Sequence, residues 1–388
     1  MNSLFLILSR KRYFAPVWVF ASLNVILGTW VLYIPRIKEK LALSDGELGA
    51  ALFCYALGVL LAILFTSRLV KSIGVGRVTI IGVVLFSSLF LGPLIATNYL
   101  LFCITLLFTG IACGMTDISM NALISDIEEA DDVPFMSAAH GFFSLGGVLG
   151  AGVGSLFIGQ VTIPVYHMMI ASFCVIVTNL LLAKNYIHIK SAVVEEKKGI
   201  KKGVLKPLIG LAIIGLIVMG SEGAIEQWSK LYLQDIVGVS IEWMAGLGFV
   251  IFSAAMTIGR FFGDAVSKRL GSLKIIIIGC LIAILGYITI FLEVGILPYV
   301  GFGGIGIGFS VVIPELFRLA GKVKGVSSSE GISLVAGVGF LGFMVAPASM
   351  GFLAEISSLR LSFMALAVGC GIALLVGLLL SRKRASKQ

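Results

Sequence analysis

Charge is what this chain has least of. Only 13% of its 388 residues are charged, while 59% are hydrophobic; soluble domains carry about 25% charged and roughly 45–50% apolar residues. A water-soluble fold of this length cannot hide so much apolar surface, and the same balance excludes a disordered chain. Histidine occurs three times. The six cysteines (Cys54, Cys103, Cys113, Cys174, Cys280 and Cys370) all lie inside apolar runs and form no C-x-x-C pair. They read as small buried hydrophobes rather than as disulfides or metal ligands. No Gly-Lys-Ser/Thr loop is present. The glycine train Gly301, Gly303, Gly304, Gly306 and Gly308 has no strand beside it, so it is neither a P-loop nor a dinucleotide fold. It reads as a flexible, closely packed helix lining a cavity. The formal charge of +9 sits in short runs between apolar stretches rather than on one basic face, which argues against nucleic acid as a partner. Nothing here calls for a catalytic group, a metal or a cofactor, and the chain does not read as an enzyme.

What is abundant is long apolar runs. A membrane-crossing helix needs about 20 mostly apolar residues, and by that measure the chain holds twelve. They fall at 14–35, 46–66, 76–96, 99–123, 134–158, 163–183, 207–233, 243–263, 273–292, 296–320, 329–354 and 358–381. The fold class expected is an all-α membrane protein. The N-terminal apolar run precedes Arg10, Lys11 and Arg12, the reverse of the order in a cleaved signal peptide. With the N-terminus inside, only Arg36, Lys38, Lys40, Lys230 and Arg360 of the 29 Lys and Arg residues fall on the outer side. The positive-inside bias therefore predicts a multi-pass protein of the inner (plasma) membrane with both termini cytoplasmic. One expected cytoplasmic loop breaks the pattern: Asp126, Glu128, Glu129, Asp131 and Asp132 stand there without a cation.

The longest polar stretch, 184–206, divides the chain into an N-terminal six-helix bundle (1–183), a basic cytoplasmic linker and a C-terminal six-helix bundle (207–388). Transporters are often built from such related halves. Phe65-Thr-Ser-Arg-Leu-Val-Lys-Ser-Ile-Gly74 aligns with Phe262-Gly-Asp-Ala-Val-Ser-Lys-Arg-Leu-Gly271, and Ser137-Ala-Ala-His-Gly141 with Ser327-Ser-Ser-Glu-Gly331. Each pair occupies the same place in its half.

Gly259-Arg-Phe-Phe-Gly-Asp-Ala-Val-Ser-Lys-Arg-Leu-Gly271 resembles the signature that the major facilitator superfamily carries after the second helix of a half. The first-half copy has Thr66 and Ser67 where Gly and Asp are expected. The resemblance covers essentially the whole chain. It implies two pseudo-symmetric bundles around a midplane cavity lined by the first, fourth, seventh and tenth helices. It also implies a gate at the cytoplasmic ends, in which Asp264 faces a positive helix N-terminus with Arg260 and Arg269 beside it. Asp117-x-x-x-Asn121 on the fourth helix, together with Ile34-Pro35, is similar to the fucose-permease type of sugar–proton symporter; Val31 stands where those permeases carry a second acid. Trp30 and Glu222-Gly-Ala-x-Glu-Gln-Trp228 are similar to segments of uncharacterised bacterial permeases.

A charge inside a spanning helix is costly and is a functional candidate by default. Gly110, Gly114, Asp117 and Asn121 recur at helical spacing and share a face. Asp117 is the leading proton-coupling candidate, since a carboxyl that is dried and rewetted in turn takes up and releases a proton. Glu222 and Glu226, i and i+4 on the seventh helix, share a face, and Glu222 lies near the membrane midplane, about 22 Å from Pro207 at 1.5 Å per residue. Both are solute-binding candidates, and Glu222 is also a coupling candidate; interhelical hydrogen bonding is the plainer role. Asn24, Trp30, Asn121 and Trp228 complete the solute-binding set, with the outer aromatic belt as the alternative for Trp30 and an interfacial anchor as that for Trp228. His140, which titrates near neutral pH, is a relay candidate at the position matched by Glu330 in the second half. Glu315 and Arg318, i and i+3, are expected to pair and mark the inner gate together with Glu330.

The function expected is secondary active transport of a small polar solute, with a sugar as the leading case, driven by protons and working as a monomer in the lipid bilayer. Two rivals stand beside it: a proton-coupled exporter of drugs or lipophilic compounds, and a membrane sensor or scaffold that does not translocate.

Overall fold

The structure, a computed structural model, describes residues 3–190, 205–323 and 328–385, so most of the basic linker lies outside the described residues. Every regular element among those residues is helical. The first compact unit spans Met1–Glu196. It holds α1 (Ser3–Ser9), α2 (Lys11–Val31), α3 (Ile34–Lys40), α4 (Asp45–Ile73), α5 (Val75–Leu89), α6 (Leu91–Ile95), α7 (Tyr99–Asp131), α8 (Met136–Phe157) and α9 (Pro164–Ala183). The second spans Lys197–Gln388 and holds α10 (Leu205–Asp235), α11 (Glu242–Leu270), α12 (Ser272–Ile290), α13 (Leu297–Ser310), α14 (Val312–Ala320), α15 (Ser328–Ile356) and α16 (Leu359–Ala385). Twelve helical segments are long and apolar enough to cross a membrane. They match the twelve expected runs, the third and tenth each being made of two successive helical pieces, α5–α6 and α13–α14. Side chains such as Phe108, Phe173, Leu285 and Val368 point outward, as a lipid-facing surface requires.

Local chemistry sets the helix ends. Ser44 and Glu47 form a reciprocal capping box at the start of α4. The Asn98 side chain accepts from the Leu101 amide at 2.9 Å to open α7. Gly74 and Gly271 close α4 and α11 with φ of 95° and 83°, a region costly for any residue with a Cβ. Those two glycines end the two copies of the repeated segment, so the repeat preserves a backbone joint more faithfully than it preserves letters.

One expectation needs correcting. The acidic segment after the fourth span is no loop, because α7 runs on to Asp131 and ends at Asp132 with φ of 52°. Two of its acids hold neighbouring elements. Asp131 takes a two-pronged bond from Arg12, at 2.7 and 2.8 Å. Glu128 accepts the amides of Phe135 and, at 2.6 Å, Met136, capping the start of α8. The glycine train is closely packed. A Cβ on Gly306 would sit 2.3 Å from the Phe252 carbonyl of α11, and Cβ atoms on Gly301 and Gly308 would sit 2.6 and 2.5 Å from carbonyls of α12. These residues let three backbones touch.

The same device recurs in both units. The helix pairs α4/α7 and α2/α8 dominate the first, and α11/α13 and α10/α15 are prominent in the second. Gly110 meets the Tyr55 carbonyl of α4 as Gly306 meets that of Phe252, and Gly146 meets Ala21 of α2 as Gly342 meets Leu216 of α10. Small residues at such crossings allow close approach in a solvent that offers helices no hydrophobic drive to associate.

Candidate solute and coupling sites

In the first unit, α7 carries Asp117 just past the stretch where Gly110 and Gly114 press against α4. Asp117 is half-buried, and so is Asn121. The Asn121 amide donates to the Asp117 carbonyl at 2.9 Å and to its carboxylate at 3.3 Å. The carboxyl is therefore steadied by a neutral partner one turn away. Asn24 is 3% exposed. Its amide nitrogen donates to the Phe143 carbonyl at 3.0 Å and its Oδ1 has no partner, so it ties α2 to α8 with one polar atom to spare. Trp30 is 1% exposed, with ring centroids 5.4 Å from Phe90 and 6.3 Å from Phe102; its indole packs among aromatic side chains. His140, on α8, is exposed and meets Phe20 edge-on at 5.2 Å.

In the second unit, α10 presents Glu222 and Glu226 one turn apart. Arg260 of α11 reaches Glu222 with Nη2 3.3 Å from Oε2. The structure thus draws Arg260 to the acids of α10. Glu226 is 5% exposed, and its Oε1 is sealed off without a hydrogen-bond partner, as is Glu222 Oε1. Trp228 is fully buried, and its indole N–H donates to the Pro347 carbonyl of α15 at 2.9 Å. Like Trp30, it spends its surface on packing. Arg318 pairs with Glu315 at 2.9 Å and donates to Ser267 Oγ at 2.8 Å, joining α14 to the end of α11. Arg269 is exposed and Glu330 half-buried. The side chain of Asp264 lies outside the described ones.

Several polar contacts escaped the sequence reading. Lys230, assigned above to the outer side, is 1% exposed and bound to Glu242 at 3.2 Å. Glu293 accepts from Tyr232 at 3.2 Å and from Arg360 at 3.1 Å, linking α10, the turn after α12 and α16. Tyr33 Oη lies 2.9 Å from His167 Nδ1, and Arg36 donates to the Val161 and Ile158 carbonyls at the end of α8. One signal for such ties was readable: the acids near Asp131 broke the charge rule for their side, and that exception had a partner in Arg12.

Two six-helix units with matching internal pairings and acids buried in spanning helices define a class, the twelve-helix membrane transporters. The sequence model of the Major Facilitator Superfamily matches residues 17–329, and the chain belongs to that family. It is 30% identical over 351 residues to an uncharacterized MFS-type transporter of Yersinia pestis, covering 87% of each chain. Among solved structures it resembles an inward-facing bacterial homolog of the human lysosomal transporter Spinster, with a TM-score of 0.72 at 16% identity over 96% of this chain and 97% of that one. It also resembles the nucleoside transporter NupG, with a TM-score of 0.71 at 13% identity over 95% and 98%.

Proposed function

We propose that this transporter carries a small polar solute across a bacterial inner membrane by alternating access, coupled to protons, with both termini cytoplasmic and one chain sufficient. The observation that carries this reading is Asp117: a half-buried carboxyl within a spanning helix, hydrogen-bonded by Asn121. A carboxylate in that setting is expensive, and a partner that arrives and leaves relieves the cost. A lone carboxyl with a neutral amide suits a proton, whereas a dehydrated alkali cation asks for a cage of several oxygens. The likeness of Asp117-x-x-x-Asn121 to sugar–proton symporters makes a sugar the leading solute. Glu222 and Glu226 form the solute-facing acids of the second unit. Arg260, Glu315, Arg318, Arg269, Glu330 and Asp264 belong to the gating ends, and His140 is the relay.

The test is flux into proteoliposomes with a panel of labelled sugars, with and without an imposed pH step. Asp117→Asn should abolish pH-driven accumulation while leaving solute exchange. Accumulation at the wild-type level in that variant removes Asp117 from coupling.

A further inference from the structure

Counting donors and acceptors along one face of α10 bears on what the second unit binds. Glu222, Glu226 and Ser229 lie at i, i+4 and i+7, within one stripe about 10 Å long. Ser229 is fully buried and Glu226 nearly so, and Glu222 has only 14% of its side chain exposed. Glu222 Oε1, Glu226 Oε1 and Ser229 Oγ all lack a hydrogen-bond partner. Buried polar atoms are almost always paired in a finished fold, so three orphans on one stripe mark a place where something else supplies hydrogen atoms. Charge adds a second constraint. Arg260 meets Glu222 at Oε2, Lys230, one turn beyond Glu226, is bound to Glu242, and among the described residues no ion pair reaches Glu226. The stripe is therefore rich in acceptors, and its middle acid has no cation of its own.

We propose that the solute bears a protonated amine beside its hydroxyl groups, and that Glu226 receives the ammonium while Glu222, anchored by Arg260, and Ser229 receive neighbouring donors. An ammonium offers three N–H donors and no acceptor, which is the complement of the carboxylate oxygens, while the Ser229 hydroxyl, donor and acceptor both, suits a solute hydroxyl. A neutral polyol would meet the hydrogen bonds but leave the charge of Glu226 uncompensated. This inference rests on the reading of the chain as a carrier of small polar solutes and narrows its substrate class.

The test compares twins that differ only in the substituent at C2: D-glucosamine, D-glucose and N-acetyl-D-glucosamine, and likewise the galactose series. Binding to the purified full-length protein is read by thermal shift at pH 6.5 and fixed ionic strength. The expectation is that the amine of a series binds at least about ten-fold more tightly than its neutral twins, since charge-assisted hydrogen bonds are the strong ones. Glu226→Gln should reduce that preference to near unity, and Glu226→Asp, which keeps the charge, should retain it. Equal binding of amine and neutral twins by the wild type, binding by no amine, or an undiminished preference in Glu226→Gln would each overturn the proposal. Flux separates the two layers. If neutral sugars are accumulated under a pH step as well as amines, carrier function stands and the amine inference falls. If no compound is accumulated, the carrier reading fails and takes this inference with it.

Discussion

Gly110→Ala isolates the packing on which the position of Asp117 depends. The added Cβ would lie 2.0 Å from the Tyr55 carbonyl oxygen, 2.9 Å from its carbon and 3.1 Å from its Cα. Ordinary contact begins near 3.4 Å, so the two backbones must part by about 1.4 Å where they touch. No rotamer can absorb this, because all three of these atoms are main chain. Overpacking typically costs about 1–3 kcal/mol, and the rigidity of the obstacle places this case near the upper end. For a unit of this size that corresponds to a fall of roughly 6–12 °C in melting temperature. Gly306→Ala, whose Cβ would lie 2.3 Å from the Phe252 carbonyl, should lose a similar amount. Gly371→Ala, with nothing within 4 Å of its Cβ, serves as the control and should melt with the wild type. The assay is size-exclusion fluorescence after heating in detergent, all variants at one heating rate because unfolding of such proteins is often irreversible. A Gly110→Ala protein melting within 2 °C of the control, against the drop estimated above, would refute the backbone contact.

Two other expectations concern charges. Arg12→Ala and Asp131→Ala should each cost little, about 0.2–1 kcal/mol, because this bridge is partly exposed; a double-mutant cycle by thermal melting should give a coupling of the same size, and additive losses would deny the contact. Lys230→Met preserves the volume of a side chain that is 1% exposed but removes the ammonium bound to Glu242, so it should destabilise by about 1.5–3 kcal/mol, as loss of a hydrogen bond to a charged group does. Adding Glu242→Gln should recover most of that loss in the same melting assay, and no recovery would show that the pair is not what holds Lys230.

The fold was legible because lipid imposes a blunt rule: each crossing needs its own apolar run, and the runs can be counted. Positions within the helices were less legible. The spacing of Gly110, Gly114, Asp117 and Asn121 announced a shared face, since helical period alone decides it. Trp228 misled because an indole looks the same whether it faces a solute or donates to Pro347 in a neighbouring helix; only the tertiary partner distinguishes the two. Arg260 was assigned to a gate by its place in a motif, while its long side chain reaches Glu222 on another helix, a contact with no trace in local sequence. The glycine train showed how closely helices approach without showing which neighbours they approach.

The duplicated crossings at Gly110 and Gly306, and at Gly146 and Gly342, bear on how the sequence can drift. Side chains facing lipid are free to vary, which erodes the visible likeness between the halves, whereas a residue wedged between two main chains has no substitute. A saturation screen should therefore trace two intolerant ladders in the same register, one per half, so that ancestry erased from most of the alphabet stays written in the residue with no side chain.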